Sequence, residues 1–297
     1  MKKLLAWGDA AGISRERGNG IQAFVAGCGH CFSGPKCLPV DFLEALCEDE
    51  GSEMMRTSLV SIALAFSLQL AMAQDFRKSY VLPPGGQILI GNVLGDVRVE
   101  GYKGSSIEIV AVKKGPDRDL VEIRDRSFGD RIDVHSVFPK FDMGKTSVEI
   151  AVRVPDSVAY NFNRISSFNG NVEISNVIGR LRAESVRGNV VLKGVSGLVS
   201  ASSHSGNVRV EIHEAQGRNN MRFSSISGDV DVQAPAGLDA LIDMSSNIGL
   251  LKTDFPIEIQ ERRYGPGRSA RGRLGSGKQI IFMTSVSGIV SLHQNQN

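Results

Sequence analysis

The sequence predicts an all-β chain of the parallel β-solenoid (β-helix-like) class, on three observations. Segments repeat around a shared glycine, apolar residues alternate with period two on both sides of that glycine, and the composition suits short strands and tight turns. The 33 glycines and 6% aromatic content, with many Val, Ile and Ser, support the last point.

The repeating units are SSFNGNVEI (166–174), ESVRGNVVL (184–192), SSHSGNVRV (202–210), SSISGDVDV (224–232), SSNIGLLKT (245–253) and TSVSGIVSL (284–292). Their anchor glycines, Gly170, Gly188, Gly206, Gly228, Gly249 and Gly288, are spaced 18, 18, 22, 21 and 39 residues apart. Two and four residues after each glycine comes an inward pair such as Val172/Ile174 or Val208/Val210. Seven and five residues before come pairs such as Leu181/Ala183 and Met221/Phe223, while the first unit is irregular, with Asn163 ahead of Ile165. Alternation sends these side chains to one face. Two strands, a glycine turn and 18–22 residues per coil describe a solenoid, right-handed by the general preference of parallel connections.

A serine lies three before every anchor glycine: Ser167, Ser185, Ser203, Ser225, Ser246 and Ser285. These predict an inward column near the turn, hydrogen-bonded from rung to rung or to backbone. Asn171, Asn189, Asn207 and Asp229 follow the glycines and predict a stacked outward ladder. On the same logic Arg209 falls beside Asp231, with Lys252 beyond.

Residues 76–160 carry a looser version of the pattern and are read as opening strands that cap the repeats of 161–293. The 39-residue gap predicts two extra strands around a basic glycine-rich loop at 262–278. Arg262, Arg263, Arg268, Arg271, Arg273 and Lys278 make that loop the candidate site for an anionic ligand.

Residues 54–74, MMRTSLVSIALAFSLQLAMAQ, have the layout of a secretory signal peptide, with Ala71-Met72-Ala73 as the cleavage signature before Gln74. An internal membrane anchor is the competing reading, but the uncharged run of 18 residues is short and its upstream flank, CEDEGSE, is acidic. Residues 1–53 then lie upstream of the true start as a non-native extension or disordered tail. The mature chain is one domain from 74 to 297 with no membrane span. Cys28, Cys31, Cys37 and Cys47 all fall in that upstream stretch, so no disulfide framework is expected in the body.

Charge is nearly balanced, 34 Lys+Arg against 32 Asp+Glu, which argues against a nucleic-acid binder. GRLGSGKQ (272–279) approaches a phosphate-binding loop, but Gln279 replaces the hydroxyl that binds magnesium and a strand pattern follows. Asp229 and Asp231 lie two apart on one strand, about 6–7 Å by strand rise, near the separation of a glycosidase pair but without an enclosing pocket. His135, His204, His213 and His293 have no metal-ligand spacing. No catalytic, metal or cofactor residue is therefore assigned.

The opening LPPGGQILIGNVLGDVRVEGY, the S-x-S-G-[ND]-V-x-V units and the ending RGRLGSGKQIIFMTSVSGIVSL resemble a family of exported bacterial "putative adhesin" domains of unknown function, over about residues 76–293. The resemblance implies a β-solenoid in or outside the cell envelope, sometimes associated with envelope-stress signalling, and no catalytic residues. SSNIGLLKT departs from the pattern. The functional expectation is a non-enzymatic exported adhesin or binding scaffold for an envelope protein or glycan. A periplasmic stress-sensing partner is the alternative, and a polysaccharide-active enzyme a distant third.

Overall fold

The computed structural model describes residues 75–139, 145–214, 220–261 and 265–295. The signal peptide expected at 54–73, the upstream stretch 1–53 with its four cysteines, Arg262 and Arg263 lie outside the described residues.

Alternating apolar residues make the strands. β1 (Phe76–Tyr80) comes first, then β2 (Gln87–Leu94) and β3 (Val97–Tyr102) flank Gly95. β4 (Ile107–Lys114), β5 (Glu122–Asp125), β6 (Arg131–Val137) and β7 (Ser147–Pro155) follow. β8 (Ala159–Asn169) and β9 (Val172–Ser175) flank Gly170, and β10 (Ile178–Arg187) and β11 (Val190–Ser205) flank Gly188. β11 runs on to Gly206 and β12 (Val208–Glu214), after which β13 (Asn220–Ser227) and β14 (Val230–Ala234) flank Gly228. β15 (Ala240–Ser246), β16 (Leu251–Thr253), β17 (Ile259–Glu261) and β18 (Arg268–Leu274) precede β19 (Gln279–Ser287) and β20 (Val290–Gln294) around Gly288.

Strands before the glycines form one side of the solenoid, in the order β5-β6-β2-β8-β10-β11-β13-β19-β15-β18-β17. Strands after them form the other, β1-β4-β7-β3-β9-β11-β12-β14-β20-β16. The long β11 belongs to both. Neighbours within the coils are parallel, and among the described strands antiparallel pairs occur only toward the ends (β1–β4, β4–β7, β5–β6, β15–β18, β17–β18). The core lies between the two sides, with Phe162, Leu181, Val199, Phe223 and Met283 buried from the first and Val172, Leu192, Val210, Val232 and Leu292 from the second. Each such side chain contributes roughly 1.5–3 kcal/mol on full burial. The irregular first unit is a bulge: Phe162 pairs with Leu181 and Ile165 with Ala183, so Asn163 and Arg164 together face Arg182.

The serine column is present and its acceptors are all of one kind. Ser167, Ser185, Ser203, Ser225, Ser285 and Ser246 donate at 2.8 Å to the carbonyls of Gly95, Gly170, Gly188, Gly206, Gly228 and Gly288, each on the adjacent coil. The glycines stack so closely that a Cβ on Gly206 would run into the Gly188 carbonyl, and so along the column. Asn92 takes the serine's place on the first coil, donating to Gly95 O at 2.9 Å and Val148 O at 2.6 Å. The asparagine ladder is built from side chain to backbone. Oδ1 of Asp96, Asn171, Asn189 and Asn207 accepts from the backbone N–H of Asn171, Asn189, Asn207 and Asp229 in turn, at 2.7–2.9 Å.

The sequence order of coils is not the stacking order. β19–β20 inserts between β13–β14 and β15–β16, so Ser285 pairs with both Ser225 and Ser246. Ser291 therefore separates Asp231 from Lys252. The N-terminal end shows a related exchange. β2–β3 makes a full coil around Gly95, and β6 and β7, later in sequence, pack outside it.

The expected basic loop is largely a strand. Ala270 and Leu274 are buried while Arg271 and Arg273 lie opposite the outward Asp243 and Leu241, a period-two pattern that makes 268–274 the strand β18, next to last on its side with β17 beyond it. Only Lys278 of the described cations sits in a turn, at 275–278.

Outward face of the first side as a candidate functional site

Parallel stacking in register turns a position counted from the glycine into a row along the solenoid. Six before the glycine, the row reads Arg164, Arg182, Ser200, Arg222, Phe282, Asp243 and then Arg271 of β18. Eight before, it reads Arg180, Leu198, Asn220, Ile280, Leu241 and Arg273, with Asn161 beside Arg180. Four before is a mostly hydroxyl row of Ser166, Glu184, Ser202, Ser224, Thr284 and Ser245. Two before, Phe168, Val186, Ile226 and Val286 form an exposed apolar ridge, 38–44% accessible each, in which His204 is one member.

Arg271 and Arg273 thus join a face that also carries Arg131, Arg164, Arg180, Arg182 and Arg222, with Asp133, Glu184 and Asp243 among its carboxylates. Arg131 pairs with Asp133 at 2.8 Å, Arg182 and Arg164 with Glu184 at 2.7 and 3.6 Å, and Arg271 with Asp243 at 3.0 Å. Among the described residues Arg180, Arg222 and Arg273 have no carboxylate partner. The Arg222 guanidinium lies 5.0 Å from the Phe282 ring centroid, a cation–π contact. A hollow here is lined by Asn161, Arg180, Leu198, Asn220, Arg222 and Phe282, among others.

The other predicted cations are occupied elsewhere. Arg268 bonds Glu261 at 3.0 Å. Lys278 belongs to the turn that approached a phosphate-binding motif, and the anion in that turn is the protein's own Asp239. Its carboxylate accepts from Ser276 Oγ at 2.7 Å, Gly277 N at 2.6 Å and Lys278 N at 3.3 Å, with Lys278 Nζ at 3.3 Å. The Ser276 hydroxyl, then the Lys278 and Gly277 amides, draw the Asp239 carboxyl down to about 2. Gln279 begins β19, so no helix follows the turn.

The second side has a different electrostatic character. Glu173 is held by Lys193 at 3.0 Å and Arg98 at 3.2 Å, Arg209 pairs with Asp231 at 3.2 Å and Arg153 with Glu108 at 3.8 Å. Asp229, the other member of the weighed carboxylate pair, accepts from Ile289 N at 2.7 Å. Among the described residues no His, Cys, Asp and Glu grouping could hold a metal, and no helix is long and apolar enough to cross a membrane.

The sequence reading missed Arg164, Arg180, Arg182 and Arg222 because each is isolated along the chain. The available signal was their offset, an arginine six or eight before an anchor glycine.

Residues 138–245 match a family model described as Toastrack DUF4097. By structure the chain is similar to a "putative cell adhesion protein" from Clostridium sporogenes, at 10% identity over 74% of this chain and 99% of that one, TM-score 0.38. It is also similar to a "putative adhesin" from Bacteroides fragilis, at 15% identity over 74% and 96%, TM-score 0.29. A third similarity is to a "putative lipid binding protein" from Parabacteroides distasonis, at 12% identity over 74% and 96%, TM-score 0.21. No curated protein matches the chain. The family resemblance carried by the serine–glycine units therefore stands over residues 138–245, where the chain matches Toastrack DUF4097.

Proposed function

We propose that this chain is a non-enzymatic binding scaffold of the cell envelope, adhesin-like in mode, with the outward face of the first side as its recognition surface. The observation that carries this reading is the contrast in charge pairing between the two sides. Arg180, Arg222 and Arg273 stand without carboxylates on one continuous face, whereas Arg98, Arg153 and Arg209 on the other side each meet a carboxylate from a neighbouring strand. Unpaired cations on a rigid sheet are available to a partner at little ordering cost. Export by the 54–73 leader, with cleavage between Ala73 and Gln74, places such a surface among envelope glycans and proteins. The reading calls for no cofactor.

Binding of the purified chain to isolated cell envelopes tests it. Charge reversal at Arg180, Arg222 and Arg273 should weaken binding at least tenfold, and reversal at Arg98 and Arg209 on the other side should leave it unchanged. Equal loss from both sides, or none from the first, would sink the recognition surface. Protease shaving of intact cells distinguishes a surface location from a periplasmic one.

A further inference from the structure

We infer that the partner of this face is an acidic polysaccharide, gripped through carboxylates by Arg180, Arg222 and Arg273 with its sugar rings lying over Phe282 and Leu198. The inference rests on the recognition-surface reading above and adds the ligand's chemistry.

The unpaired groups are all arginines, whose planar fork matches a carboxylate with two parallel hydrogen bonds. Arg180 on β10 and Arg222 on β13 are separated by one intervening strand, β11. At about 4.8 Å between strands they lie about 10 Å apart along the solenoid axis. From Arg222 to Arg273 on β18 the path crosses β19 and β15, about 14 Å on the same count. Single cations at such intervals fit an extended polymer with widely spaced charges, and a compact headgroup would engage only one of them.

What lies between the cations is equally informative. Leu198, Phe282 and Ile280 offer an apolar floor, and Ser200 and Asn220 sit among them as hydroxyl and amide. A sugar ring has those two characters, an apolar C–H face and a hydroxyl rim. A single-stranded nucleic acid instead needs successive aromatic platforms and closely spaced positive charge. Here Phe282 is the one aromatic in these two rows among the described residues.

The test measures binding of the full chain to polygalacturonate, with its fully methyl-esterified form, dextran, anionic phospholipid vesicles and single-stranded DNA as comparators. Polygalacturonate should bind at least tenfold tighter than the methyl ester, with affinity falling as salt rises. The pair R180Q/R222Q should lose at least tenfold, F282A should weaken the acidic and esterified polymers alike, and R98Q/R209Q should bind as wild type. These side chains point outward, so unchanged thermal melts confirm that the variants fold. Equal binding to the methyl ester, tighter binding to vesicles or DNA, or wild-type affinity in R180Q/R222Q would each overturn the inference. If polygalacturonate fails while R180Q/R222Q/R273Q still abolishes envelope binding, the ligand class is wrong and the recognition surface stands. If envelope binding also ignores these arginines, the recognition surface falls as well.

Discussion

The middle of this solenoid and its two ends are built from similar units by different rules. In the middle, β8–β9 through β13–β14, each coil stacks on the one before it in sequence, and partners such as Ser185 and Ser203 are 18 residues apart. At the ends the order is exchanged. Ser225 pairs with Ser285 across 60 residues, and Val97 pairs with Ile150 across 53. The units are alike enough that one serine–glycine rung fits on another whichever comes first. Stacking order is therefore decided by how the open edges are closed. β18 is antiparallel to β15 at one end, as are β4 to β7 and β5 to β6 at the other, so among the described strands only the three-residue β16 (Leu251–Thr253) closes a side as a parallel strand.

The largest effect follows from the inserted coil. Loss of a terminal coil stacked in sequence order would remove one interface and leave the rest standing. Deletion of 279–297 removes β19–β20 from between two coils, so β15–β18 loses its connection to β13. Hydrogen exchange should then show protection ending near Ala234, with 240–274 exchanging freely. Retained protection of 240–274 in the truncated chain would mean that β15 can dock directly on β13, and the inserted order would be dispensable.

Glycines sharpen the same contrast at single-residue scale. A Cβ on Gly206 meets the backbone of Gly188 and Asn189 on the preceding coil, not a movable side chain, whereas a Cβ on Gly237, in the connection before β15, meets nothing within 4 Å. Gly206→Ala should cost roughly 3 kcal/mol or more, and Gly237→Ala should stay within about 0.5 kcal/mol or gain slightly. Denaturant midpoints measure both. Similar costs at the two sites would mean that the stacked column relaxes along the axis.

These contrasts explain which features could be read before any coordinates. The inward pairs, serine column and glycine turns are set by local period and spacing, so 166–232 was legible in detail. The place of Gly288 between Gly228 and Gly249 was not, because equivalent rungs carry no label of their neighbours. The Gly95 coil was seen only as loose grammar because Asn92 does the serine's work. The candidate site was half legible. Arg271 and Arg273 stood out in a basic run, but Arg180 and Arg222 join them only through strand register. The run also misled, since the residues that neutralise Arg268, Arg271 and Lys278 are Glu261, Asp243 and Asp239, all upstream of it.

The smallest predicted effect has a distinctive pH signature. At their glycine turns the middle coils are tied by neutral groups, serine hydroxyls and asparagine amides, whereas the connection that carries the chain around β15 is tied by a charged one, Asp239. Its folded pKa of about 2 lies below the ordinary value of 3.8, so the ionised carboxylate stabilises the fold. That contribution is complete above about pH 5 and is lost as pH falls through the folded pKa near 2. Asp239→Asn should lower Tm at pH 7, and the gap from wild type should close between about pH 4 and pH 2. Asn189→Ala, which removes a neutral acceptor from the ladder, should give a gap that does not change over the same range. A constant gap for Asp239→Asn would show that an amide serves that turn as well as a carboxylate, and the ends would then be tied by the same neutral chemistry as the middle.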